Sequence, residues 1–571
     1  MKNIFKIIIL GATIALASCD DFLDKTPLDE VSEDAFYSNP SDLKAAVSGF
    51  YNDLPGWSSI EIGYNILPDM YSDLGTAESP SNTLSGLSYS VPTSASGSVW
   101  SWDEVREVNW YLSHVDQASG DEILLNQYIG EGYFFRAYYY FNLLKRYGDL
   151  PIFPDYFDNT DEDYVYAGRD PRNEVVDFMI SDLNTAISLL QSFPDISGHP
   201  RISKEVAKLF KARVALYEGT WEKYHAGTDF GVEGEDGTDF LQIAADAAED
   251  LMDDGVFSLY GDYKTLFNQR SYSGNSEVML WRDYNSIDLN LNNALQQRWP
   301  NRSGYTKFAI DSYLCVDGDP ISVSPLYKGN TDLNIIEDNR DPRLAATVMV
   351  PGDLERINEN GDSTYWDYPD FKGTYASLTG YESEKYRNVE FDDNYDDFTE
   401  DSPRIIFRYG EALLIYAEAK AELGTISQPD LDKSVNLLRD RVEMPRITLG
   451  AITYDPNWPD YGYDLSDILY EIRRERSVEL MAEGFRADDL YRWRAHSLFD
   501  GDQPRGAYLE DGVVNTTLDI ADANVDDEGF LLPFASTGNY NFDETKAYLS
   551  AIPLDELQLN ENLTQNPGWE D

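Results

Sequence analysis

A charged stretch, residues 472–493, holds the residue types most able to do chemistry. Its apolar positions share one helical face, and Arg476 falls within that face. Glutamates repeat every fourth residue beside it, within reach of Arg476 and of Arg486: Glu475, Glu479 and Glu483. The stretch therefore predicts either a carboxylate site or a set of ion pairs that holds two helices at a fixed angle. Because a buried arginine–glutamate cluster is costly unless fully paired, and no histidine or isolated carboxylate pair accompanies it, we favour the ion pairs.

Other catalytic groups are sparse. The four histidines are far apart along the chain and show no metal-ligand spacing: His114, His199, His225 and His496. A glycine-rich phosphate loop is also absent from the sequence. Carboxylates are so abundant that counting them does not exclude a glycosidase pair, so a surface glycoside hydrolase stays open as an alternative. Without a placed nucleophile or acid–base pair, we expect a protein that is not an enzyme.

One acidic stretch has the spacing that opens a calcium-binding loop: Asp522, Asn524 and Asp526. Asp527 stands where such a loop requires glycine, and no clear closing glutamate follows. A structural calcium ion and a solvated acidic loop both stay open, and we predict no other cofactor.

The first residues have the pattern of a lipoprotein signal. Two lysines precede an apolar run over Ile7–Leu16 that is too short to span a membrane, and Leu16-Ala17-Ser18-Cys19 places small residues before a cysteine. We predict removal of residues 1–18, lipidation of Cys19 and a tether over residues 19–40, with a simple secretory signal as the alternative. Acyl chains contribute about 0.8 kcal/mol per buried CH₂, so such a cysteine would anchor the protein firmly to a membrane. The second cysteine, Cys315, then has no partner and is predicted to be a buried thiol.

The composition restricts the ligand. The formal net charge is −59, which repels nucleic acid and anionic lipid surfaces and mildly disfavours polyanionic ligands. Aromatic residues make up 13% of the chain, including 40 tyrosines, which is more than a core needs. The excess indicates a surface on which a ligand stacks.

Helical and loop-rich segments alternate along the 571 residues. Apolar periodicity predicts helices over residues 41–54, 100–118, 121–147, 172–190, 203–217, 239–253, 404–423, 431–442 and 465–484, with another beginning at 488. Arginines lie in two further apolar stripes, at Arg136 and Arg213, and short strand-like pieces occupy residues 277–281 and 346–350. The loop-rich insertions cover roughly residues 55–99, 255–403 and 500–545. We therefore predict a mostly α helical-repeat scaffold, with helical pairs over roughly 41–54, 100–254 and 404–498, whose insertions form a ligand face.

Seven motifs, in order along nearly the whole chain, resemble those of the SusD/RagB family of outer-membrane lipoproteins. The first three are Leu16-Ala17-Ser18-Cys19 with Asp20-Asp21-Phe22-Leu23-Asp24, Arg146-Tyr147-Gly148-Asp149-Leu150-Pro151, and the helix Ala207–Tyr217. The other four are Asp341-Pro342-Arg343, Arg408-Tyr409-Gly410-Glu411-Ala412 with Tyr416-Ala417-Glu418-Ala419, Glu475–Trp493, and Gln565-Asn566-Pro567-Gly568-Trp569, where tryptophan replaces the family's tyrosine. Each motif is weak alone, and seven in order are specific.

This resemblance implies a single SusD-like domain over residues 41–571, with four tetratricopeptide-like helix pairs, a few short strands and a ligand face built from loops. It implies a lipid-anchored protein exposed on the cell outer membrane, acting as a lid on a SusC-like TonB-dependent transporter. Such a protein captures an oligosaccharide or polysaccharide, delivers it to the transporter and has no catalytic activity. A peptide-binding or other nutrient-binding lid of the same fold is the alternative.

Carbohydrate binding requires aromatic faces together with Asp, Asn and Arg side chains for the hydroxyl groups. The loop-rich regions supply Trp57, Tyr64, Asp73, Trp281, Tyr284, Asn285, Arg298, Trp299, Tyr305 and Trp366 as candidate glycan-binding residues. Local packing is the competing interpretation for each of them, above all for Trp281 at the end of a strand-like run. Five tryptophans in or beside helices are predicted to be core residues: Trp100, Trp102, Trp110, Trp221 and Trp493. The charge and the aromatic loops favour a neutral or weakly charged polysaccharide.

Overall fold

A computed structural model describes residues 37–57, 69–97, 100–158, 160–196, 198, 200–285, 302–357, 360–372, 376–387, 389, 401–509 and 523–570. The predicted mostly α fold is confirmed. The helices are α1 Pro40–Ser48, α2 Asn82–Ser85, α3 Asp103–His114, α4 Glu122–Tyr147, α5 Glu162–Val165, α6 Arg172–Leu189, α7 Lys204–His225, α8 Thr238–Asp253, α9 Tyr263–Leu266, α10 Lys307–Asp311, α11 Pro342–Ala345, α12 Tyr409–Glu422, α13 Gln428–Asp432, α14 Val435–Arg441, α15 Asp467–Glu479, α16 Arg486–Arg492 and α17 Leu554–Leu559. Short 3₁₀ turns cover Phe50–Asp53, Ala95–Gly97, Val115–Gln117, Phe193–Asp195 and His496–Leu498.

The long helices pack on one another nearly in chain order. Helix α4 contacts α3 and α6, α6 contacts α7, α7 contacts α8, α8 contacts α12, and α12 contacts α15. Packing of each helix on its neighbours in sequence is the arrangement expected of stacked helical pairs. The helical character that the sequence periodicity predicted is therefore confirmed, and the division into helical pairs stays a prediction.

Helix α4 shows why these boundaries could be predicted. Asp121 caps its start, because the Asp121 carboxylate accepts hydrogen bonds from the backbone N–H groups of Ile123 and Leu124. Its end is Gly148, whose φ of 71° lies in the region that favours glycine. Both signals are local and readable from the sequence.

Helices α7 and α8 approach closely through a glycine contact. A Cβ atom at Gly219 would lie 2.7 Å from the Leu241 backbone nitrogen, and one at Gly237 would lie 1.8 Å from the Gly219 carbonyl oxygen. Helix α7 therefore continues through Gly219 to His225, eight residues beyond the predicted end at residue 217. Gly219 therefore does not end α7. Its missing side chain leaves room for the close approach of α8.

Within the described ranges, three antiparallel strand pairs accompany the helices: β1 Gly75–Thr76 with β3 Gly304–Tyr305, β2 Val278–Arg282 with β6 Arg404–Arg408, and β4 Leu354–Ile357 with β5 Ser363–Tyr365. The predicted helix over residues 404–423 is wrong in its first five residues, which form strand β6. The apolar run between Arg404 and Arg408 pairs with β2, and α12 begins only after it. The predicted strand over 346–350 is also wrong. Helix α11 precedes it, and Val348 makes only an isolated bridge to Ser383.

The stripe arginines are paired across helices. The Arg136 guanidinium on α4 lies 2.7 Å from the Asp182 carboxylate on α6, and Arg213 on α7 lies 2.7 Å from Glu411 on α12. Each of these pairs joins two helices that belong to different parts of the chain.

Three further predictions concern single residues. Cys315 is a buried free thiol, as predicted. Trp100, Trp221 and Trp493 lie in the core, whereas Trp102 and Trp110 are half-buried. Among the described residues, no helix has both the length and the apolar character needed to cross a membrane.

Candidate functional site

The charged stretch found in the sequence forms a buried ion network centred on Glu479 of α15. The Glu479 carboxylate lies 2.6 Å from Arg441, 2.8 Å from Arg408 and 3.1 Å from Arg343, and these side chains are at most 2% exposed. Further pairs are Glu475 with Arg343 and Arg439, Glu483 with Arg408 and Lys385, and Glu277 with Arg408 and Arg441. The network joins α15 to α11, α14, β6 and Glu277, the residue before β2.

Titration behaviour supports a structural role for this network. Burial alone would raise the pKa of Glu479, but the charges of Arg441, Arg408 and Arg343 hold it well below its ordinary value. The pKa of Glu483 is lowered in the same way, against its burial, by neighbouring cations. A carboxyl group that serves as a general acid needs a raised pKa, so these two carboxylates act as ion-pair partners.

The prediction that the glutamates of this stretch pair with Arg476 and Arg486 is wrong. The Arg476 Nε atom lies 2.8 Å from the Asp489 carboxylate, and Arg486 lies 2.7 Å from Asp73. Helix α15 ends at Glu479, and the turn that follows brings α16 back against Arg476. The glutamates are left to meet arginines from distant elements, which helical spacing alone does not reveal.

Five of the predicted ligand residues are buried, Trp57 among them, and in the other four the polar group of the side chain has a partner within the protein. Asp73 pairs with Arg486, and the Trp281 indole N–H donates to Asp283 at 2.6 Å. The Tyr305 hydroxyl lies 3.1 Å from the Ser383 Oγ atom, and the Trp366 indole N–H donates to an oxygen of the Glu382 carboxyl group at 3.0 Å. Tyr305 and Trp366 belong to one apolar cluster and Trp281 to another. The polar groups of these four side chains are bonded within the protein, whereas the Trp57 indole N–H has no acceptor among the described residues, so the four are not retained in the candidate site.

Three other predicted residues come together. The Trp57 backbone N–H donates to the Tyr284 hydroxyl at 2.6 Å, although the two residues are 227 positions apart. Asn285 follows Tyr284 and is half-buried. We call these three residues, together with Arg282 and Arg404, the Trp57 cluster.

The two arginines of the Trp57 cluster were not predicted from the sequence. The Arg404 guanidinium carbon lies 4.9 Å from the centre of the Trp57 ring, and Arg404 donates to the carbonyl oxygen of Gly56. Arg282 donates to the carbonyl oxygen of Leu54 at 3.0 Å. The pairing of β2 with β6 places the two arginines opposite each other. In the sequence, each of these arginines stands at one end of an apolar run. That position indicates a shared site only when the pairing of the two strands is known.

Two segments that carry further predicted residues start at this cluster. Trp57 precedes residues 58–68, and Asn285 precedes residues 286–301. The residues that follow the two segments along the chain pair with each other in the β1–β3 sheet, where Gly75 faces Tyr305. The described residues that precede the two segments therefore meet at one place, and Gly75 and Tyr305, which follow them, meet at another. The predicted residues they carry, Tyr64, Arg298 and Trp299, lie outside the described residues.

A separate cavity of about 810 Å³ lies between α3, α4, α16 and the segment 547–550. Its polar groups include pairs already made within the protein. The Tyr139 hydroxyl donates to the Asp53 carboxylate at 2.6 Å, and Lys145 lies 2.8 Å from Asp488. The volume suits an oligosaccharide, since small-ligand pockets span about 300–1,000 Å³. This cavity is therefore a second candidate for the ligand site, and experiments can distinguish it from the Trp57 cluster.

The calcium prediction remains a prediction. Asn524 is exposed, and the Asp526 carboxylate accepts hydrogen bonds from the backbone N–H groups of Glu528 and Phe530, both at 2.9 Å. Asp522 and the lipidation residue Cys19 lie outside the described residues. Within the described ranges, no group of three or more His, Cys, Asp or Glu side chains is placed to hold a metal ion.

Two histidines that are distant in sequence share a tyrosine neighbour. The His225 and His496 rings lie 4.7 and 5.9 Å from the Tyr548 ring. Burial lowers the pKa of His225 to about 3, and its Nε2 atom lies 2.9 Å from the carbonyl oxygen of Tyr491. A ring held neutral and hydrogen-bonded to backbone is a packing residue.

Comparison with known proteins identifies relatives along the whole chain. The sequence profile of the SusD family matches residues 265–569, and a profile described as "Starch-binding associating with outer membrane" matches residues 66–216. Two relatives from Formosa agariphila are SusD-like protein P38, 25% identical over 86% of this chain and 91% of its own length, and SusD-like protein P2, 23% identical over 99% of both.

Solved structures show the same fold. A SusD-like carbohydrate binding protein from Bacteroides fragilis superposes with a TM-score of 0.73 at 22% identity, covering 93% of this chain and 100% of the other. A laminarin binding SusD-like protein superposes with a TM-score of 0.55 at 20% identity, with the same coverage. Since the SusD profile spans more than half of the sequence, and the helical scaffold agrees with it, this chain belongs to the SusD family.

Proposed function

We propose that this protein captures a glycan at the cell surface and delivers it to a SusC-like TonB-dependent transporter, without cleaving it. The observation that carries the proposal is the meeting of Trp57 with Tyr284 and Asn285, at the point where segments 58–68 and 286–301 begin. Membership of a family of SusD-like carbohydrate-binding proteins supports the ligand class.

The Trp57 cluster has the chemistry that a sugar requires. Ligand sites are mostly apolar walls with a few convergent polar groups, and this cluster joins two aromatic side chains to two guanidinium groups and an amide. The Trp57 indole N–H is buried and has no acceptor among the described residues. A buried donor is costly when unsatisfied, so a ligand or water that accepts from it would be favoured.

The charge of the protein favours a neutral glycan. A net charge of −59 repels polyanions at long range, although salt screens this field beyond about 8–10 Å. The arginines of the Trp57 cluster donate to backbone carbonyl oxygens of residues 52, 54 and 56, and no other hydrogen bond of theirs to a described residue competes for the remaining guanidinium donors.

We further infer that Cys19 carries a lipid anchor and that residues 19–40 connect it to the body of the protein. One of the matching family profiles describes association with the outer membrane, which supports this location. Cys19→Ala, expressed in the cell of origin, should move the protein from the membrane fraction to the soluble fraction. Retention of this variant in the membrane would contradict the anchor.

Affinity electrophoresis through gels that contain starch, laminarin or other neutral polysaccharides tests the ligand class. At least one polysaccharide should retard the wild-type protein. Trp299→Ala should abolish this retardation, because Trp299 lies in a segment that starts at the Trp57 cluster. Trp366→Ala removes the same type of ring from the core, so it should lower stability while leaving the retardation of the folded fraction unchanged.

Three outcomes would contradict the proposal. Asn142 lines the cavity beside α4, so retardation lost in Asn142→Ala but kept in Trp299→Ala would place the ligand there. Binding of a peptide pool with no retardation by any polysaccharide would favour a peptide-uptake role. New reducing ends after incubation of the pure protein with the bound glycan would show that it is a hydrolase.

A further inference from the structure

A second cavity, of about 280 Å³, lies between α10, α15 and the loop 455–461, and it shares no residue with the Trp57 cluster. Four aromatic side chains contribute to its lining: Phe308, Trp458, Tyr461 and Tyr470. Its volume is just below the range of about 300–1,000 Å³ typical of small-ligand pockets, so it suits one or two sugar rings and is too small for a long chain.

The aromatic wall of this cavity is arranged in layers. The Trp458 and Tyr470 rings are parallel within 5°, with centres 4.6 Å apart. The Tyr454 ring stands edge-on to Trp458 at 5.1 Å and is 66% exposed. Tyr454 lies outside the cavity lining, and its edge-on contact with Trp458 extends the aromatic surface from the cavity towards solvent.

Polar side chains of both signs lie beside this wall. The Arg474 guanidinium is 2.5 Å from the Asp455 carboxylate, and both residues line the cavity. Asn457 is exposed on the same loop, and Asp311 and Ser312 line the cavity from α10 and its end. These groups provide acceptors and donors close together, which is what vicinal hydroxyl groups require.

The loop that carries Trp458 is held in place before any ligand binds. The Ser322 hydroxyl donates to Asp455 at 2.6 Å, and the Thr453 hydroxyl donates to Asp319 at 2.6 Å. These bonds fix the loop to residues 319–322, so binding would cost little ordering of the backbone.

We propose that this cavity is a second saccharide-binding site, which takes one or two neutral sugar rings of the same glycan. The inference rests on the proposed function, because it assumes that the protein binds a glycan. The Trp458 ring contacts the apolar face of the sugar, the exposed Tyr454 ring extends this contact outside the cavity, and Asn457 and Arg474 bind its hydroxyl groups. Two separate sites on one protein raise the affinity for a long polysaccharide above that for a short oligosaccharide, when one chain reaches both.

Isothermal titration with starch and laminarin oligosaccharides, and with the retarding polysaccharide, tests this second site. Wild-type protein should show two classes of site, and Trp458→Ala should remove one class while Tyr284→Ala weakens the other. Tyr454→Ala, an exposed change that spares the fold, should weaken the second class roughly tenfold, which corresponds to about 1.4 kcal/mol. Tyr166→Ala removes a tyrosine that is 47% exposed and lies outside both sites, so it should leave both classes unchanged.

The outcomes separate this inference from the proposed function. A single class of site in the wild-type protein, with affinity unchanged in both Trp458→Ala and Tyr454→Ala, would overturn the second site and leave the first intact. Wild-type protein that binds no glycan would overturn both. If Trp458→Ala fails to fold, as its circular dichroism would show, Tyr454→Ala and Asn457→Ala decide the question. Competition by a peptide for the class of site that depends on Trp458 would overturn the saccharide assignment.

Discussion

Glu479→Gln tests whether the buried ion network has a structural role. The substitution keeps the shape of the side chain but removes the negative charge from between three guanidinium groups. Arg343 and Arg408 keep other carboxylates within 3 Å, whereas Arg441 keeps only Glu277, at 3.2 Å, among the described residues. Arg441 would therefore be left buried and poorly paired.

The size of the effect follows from the burial. Removing one partner of a buried pair costs about 3–5 kcal/mol, because the remaining charge is uncompensated. Unfolding entropy is about 2.1 cal/mol/K per residue, or roughly 1.2 kcal/mol/K for 571 residues. If the chain unfolds in one transition, the Tm should fall by about 3–4 °C.

Differential scanning calorimetry at pH 7 measures this shift, and Glu544→Gln provides the matched control. Glu544 makes a pair with Arg494 at 2.6 Å, but its side chain is 46% exposed. Exposed pairs are worth only about 0.2–1 kcal/mol, so the control should change the Tm by less than about 1 °C. Equal Tm values for the two variants would refute the reasoning. So would a Glu479→Gln variant of normal stability that has lost glycan affinity.

Three further predictions concern stability. Gly219→Ala should lower the free energy of unfolding in urea by about 1–3 kcal/mol, because the new Cβ atom would lie 2.7 Å from the Leu241 backbone nitrogen. An unchanged free energy of unfolding would contradict the close contact between α7 and α8. Burial raises the pKa of Glu382 to about 8, so the folded state holds a proton that the unfolded state releases, and wild-type stability falls as the pH rises towards 8. Glu382→Gln should therefore gain stability over wild type between pH 5 and pH 8, by at most about 1.4 kcal/mol per pH unit, and a constant difference would contradict the buried carboxyl. Arg476→Ala should lower stability by less than the roughly 3–5 kcal/mol of an uncompensated buried charge, because Asp489 keeps Arg492 at 2.8 Å. The glycan affinity of the folded fraction should stay unchanged, and lost affinity in a fully folded variant would return this helix to the ligand site.

Local signals in the sequence were sufficient for the scaffold. The cap at Asp121 and the glycine at residue 148 mark the ends of α4, and arginines in apolar stripes indicated buried ion pairs. The partners of those arginines lie 46 positions away for Arg136 and 198 positions away for Arg213. Spacing within one helix cannot identify such partners, because they depend on how distant elements pack.

The candidate site was predicted only in part, for two physical reasons. First, the insertions were expected to be surface, but the segments around residues 305 and 366 form an apolar core of their own, which buries Tyr305 and Trp366. Composition does not distinguish an aromatic ring in such a core from one that faces solvent. Second, Arg282 and Arg404 become neighbours only through the β2–β6 pair, since 121 residues separate them in the sequence.

The central claim is that a glycan binds at the Trp57 cluster, on a scaffold held by ion pairs. Its most direct test is the calorimetric affinity of Tyr284→Ala for the glycan that retards the wild-type protein, with Tyr166→Ala as the control. Removal of the Tyr284 ring should weaken binding at this site at least about tenfold while circular dichroism remains that of the wild type. A fully folded Tyr284→Ala variant that binds the glycan as tightly as wild type would contradict the claim.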